Sequence, residues 1–159
     1  MEEAQGEAAR ITVQRRVEWA DTDASGHHHF TAVLRWAEEV ETVLLERLGL
    51  GDLAVGHCPR VHVSVDYRRP LHVRELVDIE LGVAAVGRSS VSYELVVHSG
   101  GEVAATGKMV AVLVGPEPGS GAVAWPPAAR RALLGGGAVA GERYEPVAAV
   151  REGRQDQPG

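Results

Sequence analysis

A chain of 159 residues, 45% of them hydrophobic, suits one domain with a real core. Its net charge of -6 argues against a nucleic-acid binder, which needs a basic face to neutralise phosphates. A single cysteine, Cys58, leaves no internal disulfide framework, and no apolar run approaches the roughly 20 residues that span a bilayer. Met1 to Arg10 are acidic and Ala-rich without an apolar signal-peptide core, so a flexible N-terminus and a cytoplasmic location are expected.

In chain order, Ile11 to Trp19 alternates with a period of two and predicts a strand, with Ile11, Val13, Val17 and Trp19 on one face. Arg15 interrupts that face. A polar, Gly-containing loop follows from Asp21 to about His28. Next comes one long helix: Val33, Trp36, Ala37, Val40, Val43, Leu44 and Leu48 recur at three- and four-residue steps. Arg35, Glu38, Glu39, Glu41, Glu46 and Arg47 fill its polar side, and Gly49 and Gly51 stop it.

Four more strands are predicted. Val61, Val63, Val65 and Tyr67 alternate in the first, which Pro70 ends. Val77 to Val83, Val91 to Val97 and about Val103 to Val114 supply the others. The links Gly87-Arg88-Ser89 and Ser99-Gly100-Gly101 are short enough for hairpins, so these neighbours pair antiparallel. Ala128 to Leu134 predicts a short helix behind Pro126-Pro127. Residues 135–159 show no convincing period and are expected to form a mostly disordered tail. The expected class is α+β, with an antiparallel five-stranded sheet curled around one central helix.

Two aspartates, Asp21 and Asp23, precede the long helix. Asp caps helices and makes turns, so capping alone accounts for both. His27-His28-His29 admits several readings: a base assisting Asp23, a polar wall of a pocket, a metal site with Asp21 or Asp23, or a solvated loop. Consecutive loop histidines cannot all face one point, so no metal site is expected.

The order of elements, together with Val17-Glu18-Trp19-Ala20-Asp21-Thr22-Asp23-Ala24-Ser25-Gly26, Leu34-Arg35-Trp36-Ala37-Glu38, Val65-Asp66-Tyr67-Arg68-Arg69-Pro70, Gly87-Arg88-Ser89-Ser90 and Trp125-Pro126-Pro127, resembles the hotdog-fold acyl-CoA thioesterases of the 4-hydroxybenzoyl-CoA thioesterase family. The resemblance runs from about Ile11 to Leu134 and implies a domain over 11–134 that hydrolyses an acyl thioester of coenzyme A or of an acyl-carrier protein. It implies Asp23 as nucleophile or general base and the backbone N–H of Phe30, at the helix start, as the carbonyl-polarising donor. It further implies contacts from Arg88, Ser89 and Ser90 toward the nucleotide or phosphopantetheine, while Gly26, His27, His28 and His29 are candidate substrate contacts from their own place in the loop. No cofactor is expected beyond the coenzyme A or phosphopantetheine of the substrate. Assembly as a homodimer or homotetramer, with the site at the subunit interface, is implied as well. Family members carry aliphatic residues where this chain has His27 and His28, so an altered acyl pocket is expected. Two other readings stay open: a hotdog dehydratase or hydratase, and a non-catalytic module that binds acyl thioesters or polyketides.

Overall fold

The computed structural model describes residues 6–146. Its strands are β1 (Arg10–Arg16), β2 (Arg60–Tyr67), β3 (Leu76–Val86), β4 (Ser90–Ser99) and β5 (Glu102–Val112). Its helices are α1 (Ala32–Arg47), the short α2 (Gly51–Ala54) and α3 (Pro127–Gly135). All five strands join one antiparallel sheet in the order β1-β3-β4-β5-β2. Among the described residues no helix is long and apolar enough to cross a membrane.

The period-two residues Val77, Ile79, Leu81 and Val83 of β3, and Val91, Tyr93, Leu95 and Val97 of β4, are all buried. They form the face on which α1 lays Val33, Trp36, Val40 and Leu44, which are buried too. Gly100 and Gly101 both take positive φ, 59° and 79°, as a two-residue turn twisted to match its strands requires. The helix behind Pro126 forms as expected, and Arg130 donates to the carbonyls of Gly87 (2.6 Å) and Val86 (3.0 Å), tying α3 to the β3–β4 turn.

Three expectations are corrected. The first strand stops at Arg16, because the Asp21 carboxylate takes the Glu18 N–H and closes a 3-10 turn over Trp19–Asp21. Trp19 is consequently exposed. β2 forms as predicted, yet Val61 and Val63 lie open to solvent, because β2 is an edge strand with little packed over it. The termini differ as well. Ala9 is fully buried, and its N–H donates to the Leu133 carbonyl at 2.9 Å.

Residues 137–142 run parallel to β1, bridging Arg10 with Ala138 and Val13 with Glu142. Arg10 N–H donates to Gly137 O (2.9 Å), Val139 N–H to Arg10 O (2.9 Å) and Gln14 N–H to Glu142 O (2.7 Å). Arg15, the residue that broke the first strand's apolar face, pairs with Glu142 at 3.0 Å and Glu39 at 3.5 Å. The structured region therefore extends past 134, and the edge of β1 is covered. The rest of the expected tail, 147–159, and residues 1–5 lie outside the described residues.

A Cβ added at Gly141 would fall 1.8 Å from the Thr12 carbonyl oxygen. Gly141→Ala is expected to lift this segment from β1, lower stability by about 1–3 kcal/mol and speed hydrogen exchange at Arg10 and Gln14. Unchanged protection of those two amides would show that the segment does not hold the edge.

Candidate functional site

The connection from β1 to α1 is built around Asp21. Its carboxylate is buried, accepts the Glu18 N–H at 2.8 Å and pairs with Arg35 of α1 at 2.7 Å. Its carbonyl accepts the His29 N–H at 2.6 Å. Asp21 thus ties the strand exit, the loop end and the helix together. Between these anchors the chain reverses: Thr22 bridges His28, Asp23 N–H donates to His27 O at 3.2 Å, and Gly26 turns with φ 85°.

Asp23 sits on this reversal with an exposed side chain. The Ser25 N–H (2.8 Å) and the Ser25 hydroxyl both donate to its Oδ1. These bonds favour the carboxylate and hold its pKa below the ordinary range, the hydroxyl contributing most. Among the described residues Oδ2 has no hydrogen-bond partner.

A cleft of about 520 Å³ opens beside it. Asp23, Ser25, His27 and His28 line it from the loop, Phe30 from the helix start, and Tyr67, Arg68, Arg69 and Pro70 from the end of β2. Phe30 immediately precedes Thr31, the N-cap of α1. No acceptor for the Phe30 N–H is found among the described residues. The Tyr67 hydroxyl donates to the Phe30 carbonyl and so fixes the helix start to β2. An unpaired N–H at the positive end of a helix is suited to an anion or a developing oxyanion.

The three histidines diverge. His28 turns inward and is buried; its Nδ1 accepts the Leu71 N–H at 3.0 Å, and its own N–H donates to Leu71 O at 2.7 Å. Its ring stacks on Tyr67 with centroids 5.8 Å apart. Burial pushes its pKa down, and with Nδ1 accepting, the ring proton belongs on Nε2. His29 Nδ1 accepts the Thr31 N–H (3.2 Å) and lies 2.6 Å from the Thr31 hydroxyl, so this ring caps the helix. His27 faces His72, with ring centroids 6.3 Å apart.

Asp23, Gly26, His27, His28, His29 and Phe30 are therefore gathered in one loop, with His29 serving the helix cap. Arg88, Ser89 and Ser90 lie elsewhere, at the β3–β4 turn. The ten residues of β4 separate that turn from the Ser99 end, where Arg69 of the cleft donates to the Ser99 carbonyl at 3.0 Å; this amounts to about 30 Å. The carbonyls of Arg88 and Ser90 hold Trp125 through its N–H (2.9 Å) and Nε1 (3.1 Å). Arg69 also pairs with Glu75 (3.2 Å) and Glu102 (3.4 Å), whereas exposed Arg68 has no ion pair among the described residues.

Sequence reasoning gave Tyr67 a place in a strand and in the Val65–Pro70 motif, but no role at the site. It also assigned Glu41 to the polar side of α1, although Glu41 is 3% exposed. The signal was present: Ala37, Leu44 and Leu45, all buried, flank Glu41 at four residues before and three and four after.

The sequence model of the thioesterase-like superfamily matches residues 17–133. A 1,4-dihydroxy-2-naphthoyl-CoA hydrolase from Parasynechococcus marenigrum (strain WH8102) is 32% identical over 83 residues, covering 45% of this chain and 55% of that protein. The chain thus spans little more than half the length of this curated relative. Among solved structures, a thioesterase from Thermus thermophilus, complexed with coenzyme A and Zn, superposes with a TM-score of 0.70 at 29% identity, covering 77% of this chain and 90% of that one. A 1,4-dihydroxy-2-naphthoyl-CoA thioesterase from Synechocystis superposes with a TM-score of 0.69 at 21% identity, covering 78% and 95%, and shows likeness of fold.

Because the Asp21 carboxylate satisfies a main-chain N–H from within the protein, Asp21→Ala is expected to cost about 1–3 kcal/mol in unfolding free energy. Denaturant titration measures this; a change within ±0.5 kcal/mol, the range ordinary for a surface substitution, would contradict the anchoring role.

Proposed function

On the premise that this chain belongs to the thioesterase-like superfamily and has its hotdog fold, we propose that it hydrolyses an acyl thioester of coenzyme A or of an acyl-carrier protein to free acid and thiol. One observation carries the reading: the Asp23 carboxylate and the unpaired Phe30 N–H line the same cleft at the start of α1.

The thioester carbonyl sits against the Phe30 N–H, which donates to the oxygen as negative charge develops there. Asp23 then acts by one of two balanced routes. Its Oδ2 attacks the carbonyl carbon, the C–S bond breaks, the thiolate leaves and takes a proton from water, and a second water hydrolyses the mixed anhydride. Alternatively Asp23 takes a proton from a water that attacks the carbon directly. Both need Asp23 ionised, which its two bonds from Ser25 favour. Neutral His28 and the Tyr67–Phe30 bond keep the donor peptide in place. Among the described residues Arg68 is the unpaired cation lining the cleft, available for the phosphates of the substrate. No cofactor is required beyond the coenzyme A or phosphopantetheine of the substrate. The names of the relatives make an aromatic acyl-CoA the first substrate to test.

The reading includes a homodimer, or a tetramer built from it. Among the described residues β1 is covered by residues 137–142, while β2 leaves its edge open and Val61 and Val63 exposed. Such edges invite pairing with another chain. Antiparallel pairing of β2 with β2 of a second copy would reverse that copy and carry its Arg88–Ser90 turn toward this chain's cleft. Light scattering that reports a monomer would overturn this.

Thiol release from a panel of acyl-CoA substrates tests the chemistry. Asp23→Asn is expected to lower kcat/KM by about 10²–10⁴-fold with the melting temperature nearly unchanged, since the side chain is exposed. Full activity in the variant would sink the assignment. No thiol release from any coenzyme A or carrier substrate would favour a binding module, and hydration of an enoyl thioester without thiol release would favour a hydratase. The pH profile gives a second check. Removing a donor to the charged form raises a carboxylate's pKa, so Ser25→Ala should move the acid limb of kcat/KM to higher pH. A limb that stays put or moves lower would contradict the Ser25–Asp23 linkage.

A further inference from the structure

β2 presents exposed side chains to both faces of the sheet: Val61, Val63 and Tyr67 on the helix side, and His62, Ser64 and Asp66 on the other. Among the described residues neither His62 nor Asp66 has an ion-pair partner. The main chain of β2 is only half used. Arg68, just past the strand, donates its N–H to the Ala104 carbonyl of β5 at 2.8 Å, and Asp66, Ser64 and His62 face Thr106, Lys108 and Val110 in step with it. Antiparallel bonding alternates along a strand, so these even-numbered residues bond to β5. Val63, Val65 and Tyr67 therefore turn their N–H and C=O groups to the open edge.

A second copy that adds its own β2 to this edge has few registers open to it. Residues that turn their main chain to the edge must meet residues that do the same, so one residue of β2 faces its own copy on the two-fold axis. The side chains decide which. Asp66 on the axis sets like charges against each other, and Val65 on the axis sets His62 against the cationic Arg68. His62 on the axis sets Val65 against Pro59, which has no N–H to give. Val63 on the axis sets Asp66 against Arg60. Arg60, however, lies beyond a register shift in β2 and turns to the helix side, where Glu41 holds it at 2.7 Å. Ser64 on the axis matches every position: His62 faces Asp66, Val63 faces Val65, and Val61 faces Tyr67. Arg68 then falls opposite Arg60, whose charge Glu41 already offsets.

We propose that a second copy joins through β2 with Ser64 on the two-fold axis, so that His62 of each copy pairs with Asp66 of the other and Val61 of each covers Tyr67 of the other. This rests on the thioesterase and dimer reading, and it names the residues by which the second copy is recognised and the one it contributes to the site. Val63 of each copy and Val65 of the other exchange both of their main-chain bonds. On the outer face the His62 ring N–H donates to the Asp66 carboxylate, once on each side of the axis. On the helix side the valines that are exposed in the single chain are covered. Tyr67 and Phe30 stand 43% and 62% exposed at the rim of the Asp23 cleft. Val61 of the second copy packs against Tyr67 and walls the β2 side of that cleft, where the Tyr67 hydroxyl holds the Phe30 carbonyl. The cleft is complete only when two chains meet in this register.

Disulfide trapping on the full chain tests the register without turnover. Ser64→Cys, Val63→Cys and Val65→Cys are made separately; the native Cys58 is buried and does not compete. Residues that face each other on the axis lie about 4.5–5.5 Å apart at Cα, within disulfide reach, whereas a residue one step off the axis lies roughly 8 Å from its own copy. Copper-phenanthroline oxidation is expected to link Ser64→Cys into a covalent dimer about tenfold faster, or more, than either valine variant. Faster linking of Val63→Cys or Val65→Cys would overturn the register and leave a β2 dimer, and linking of none would overturn the β2 interface. His62→Asp should weaken the dimer about tenfold or more in sedimentation, because the axis repeats the repulsion, and adding Asp66→His should restore it to within about threefold. No recovery in the double variant would overturn the pair. Thiol release per chain should fall as His62→Asp is diluted to monomer and return in the double variant; equal activity of monomer and dimer would overturn the part of Val61 in the site. Absence of thiol release from every substrate would overturn the thioesterase reading and leave the trapping result standing, so the two failures are distinct.

Discussion

One helix with a single apolar stripe has to be covered by one sheet, and the rest of the molecule answers to that constraint. Val33, Trp36, Val40 and Leu44 are buried among the residues of β1, β3 and β4. Neither the stripe nor the concave face of the sheet would be stable in water alone. Seating α1 over the sheet fixes where the helix begins, and the short connection from Val17 to Thr31 must reach that point from the end of β1. It does so through the 3-10 turn and the reversal at Asp23 to His28. The first N–H groups of α1 are thereby delivered to the lip of a cleft. The proposed chemistry sits there because the packing puts the helix start there.

Within that connection two aspartates, separated by one residue, have opposite fates. Asp21 is buried, and its oxygens are consumed by the Glu18 N–H and by Arg35. Asp23 is exposed and keeps one oxygen free, while Ser25 holds the other. The difference comes from geometry: the turn that Asp21 closes points its neighbour but one outward. A buried carboxylate with both oxygens satisfied stabilises; an exposed one with a free oxygen beside a helix N-terminus is available for reaction. The rigidity supplied by Asp21 and by the Tyr67–Phe30 bond is what lets Asp23 and the Phe30 N–H keep their relative positions without cofactor or metal in the proposed chemistry.

The parts legible in the sequence are those written in side-chain period. The interiors of β3 and β4, the span of α1, and α3 behind Pro126 all declare themselves through burial patterns that repeat every two or about 3.6 residues. Features decided by main-chain bonding or tertiary position left no such trace. The end of β1 depends on one side chain taking a backbone N–H. Residues 137–142 join β1 through backbone bonds, which follow no side-chain period. Val61 and Val63 alternate like core residues but sit at an edge. Glu41 is the exception: its place between Ala37, Leu44 and Leu45 was legible in the period, but its charge outweighed that position. The histidine run shows the same limit: three adjacent identical residues point three ways, and only His28 is drawn inward, by Leu71 and Tyr67.

The two sheet edges receive opposite treatment, and this bears on how the dispersed candidate residues relate. β1 is closed by the chain's own residues 137–142, with Arg15 and Glu142 pinning the contact. Among the described residues β2 keeps its open edge and its exposed valines. Strand pairing through a two-fold axis is antiparallel, so in the proposed dimer the Arg60 end of one β2 lies beside the Tyr67 end of the other. The Arg88–Ser90 turn lies at the Arg60 end, because Ser90 pairs with Val112 of β5 and Arg60 with Ala111. Residues about 30 Å apart along one chain are then brought toward each other across the axis. On this reading the separation of Asp23 from Arg88 is what a shared site requires, since a substrate with a long nucleotide arm can be held by one copy at its thioester and by the other at its phosphates.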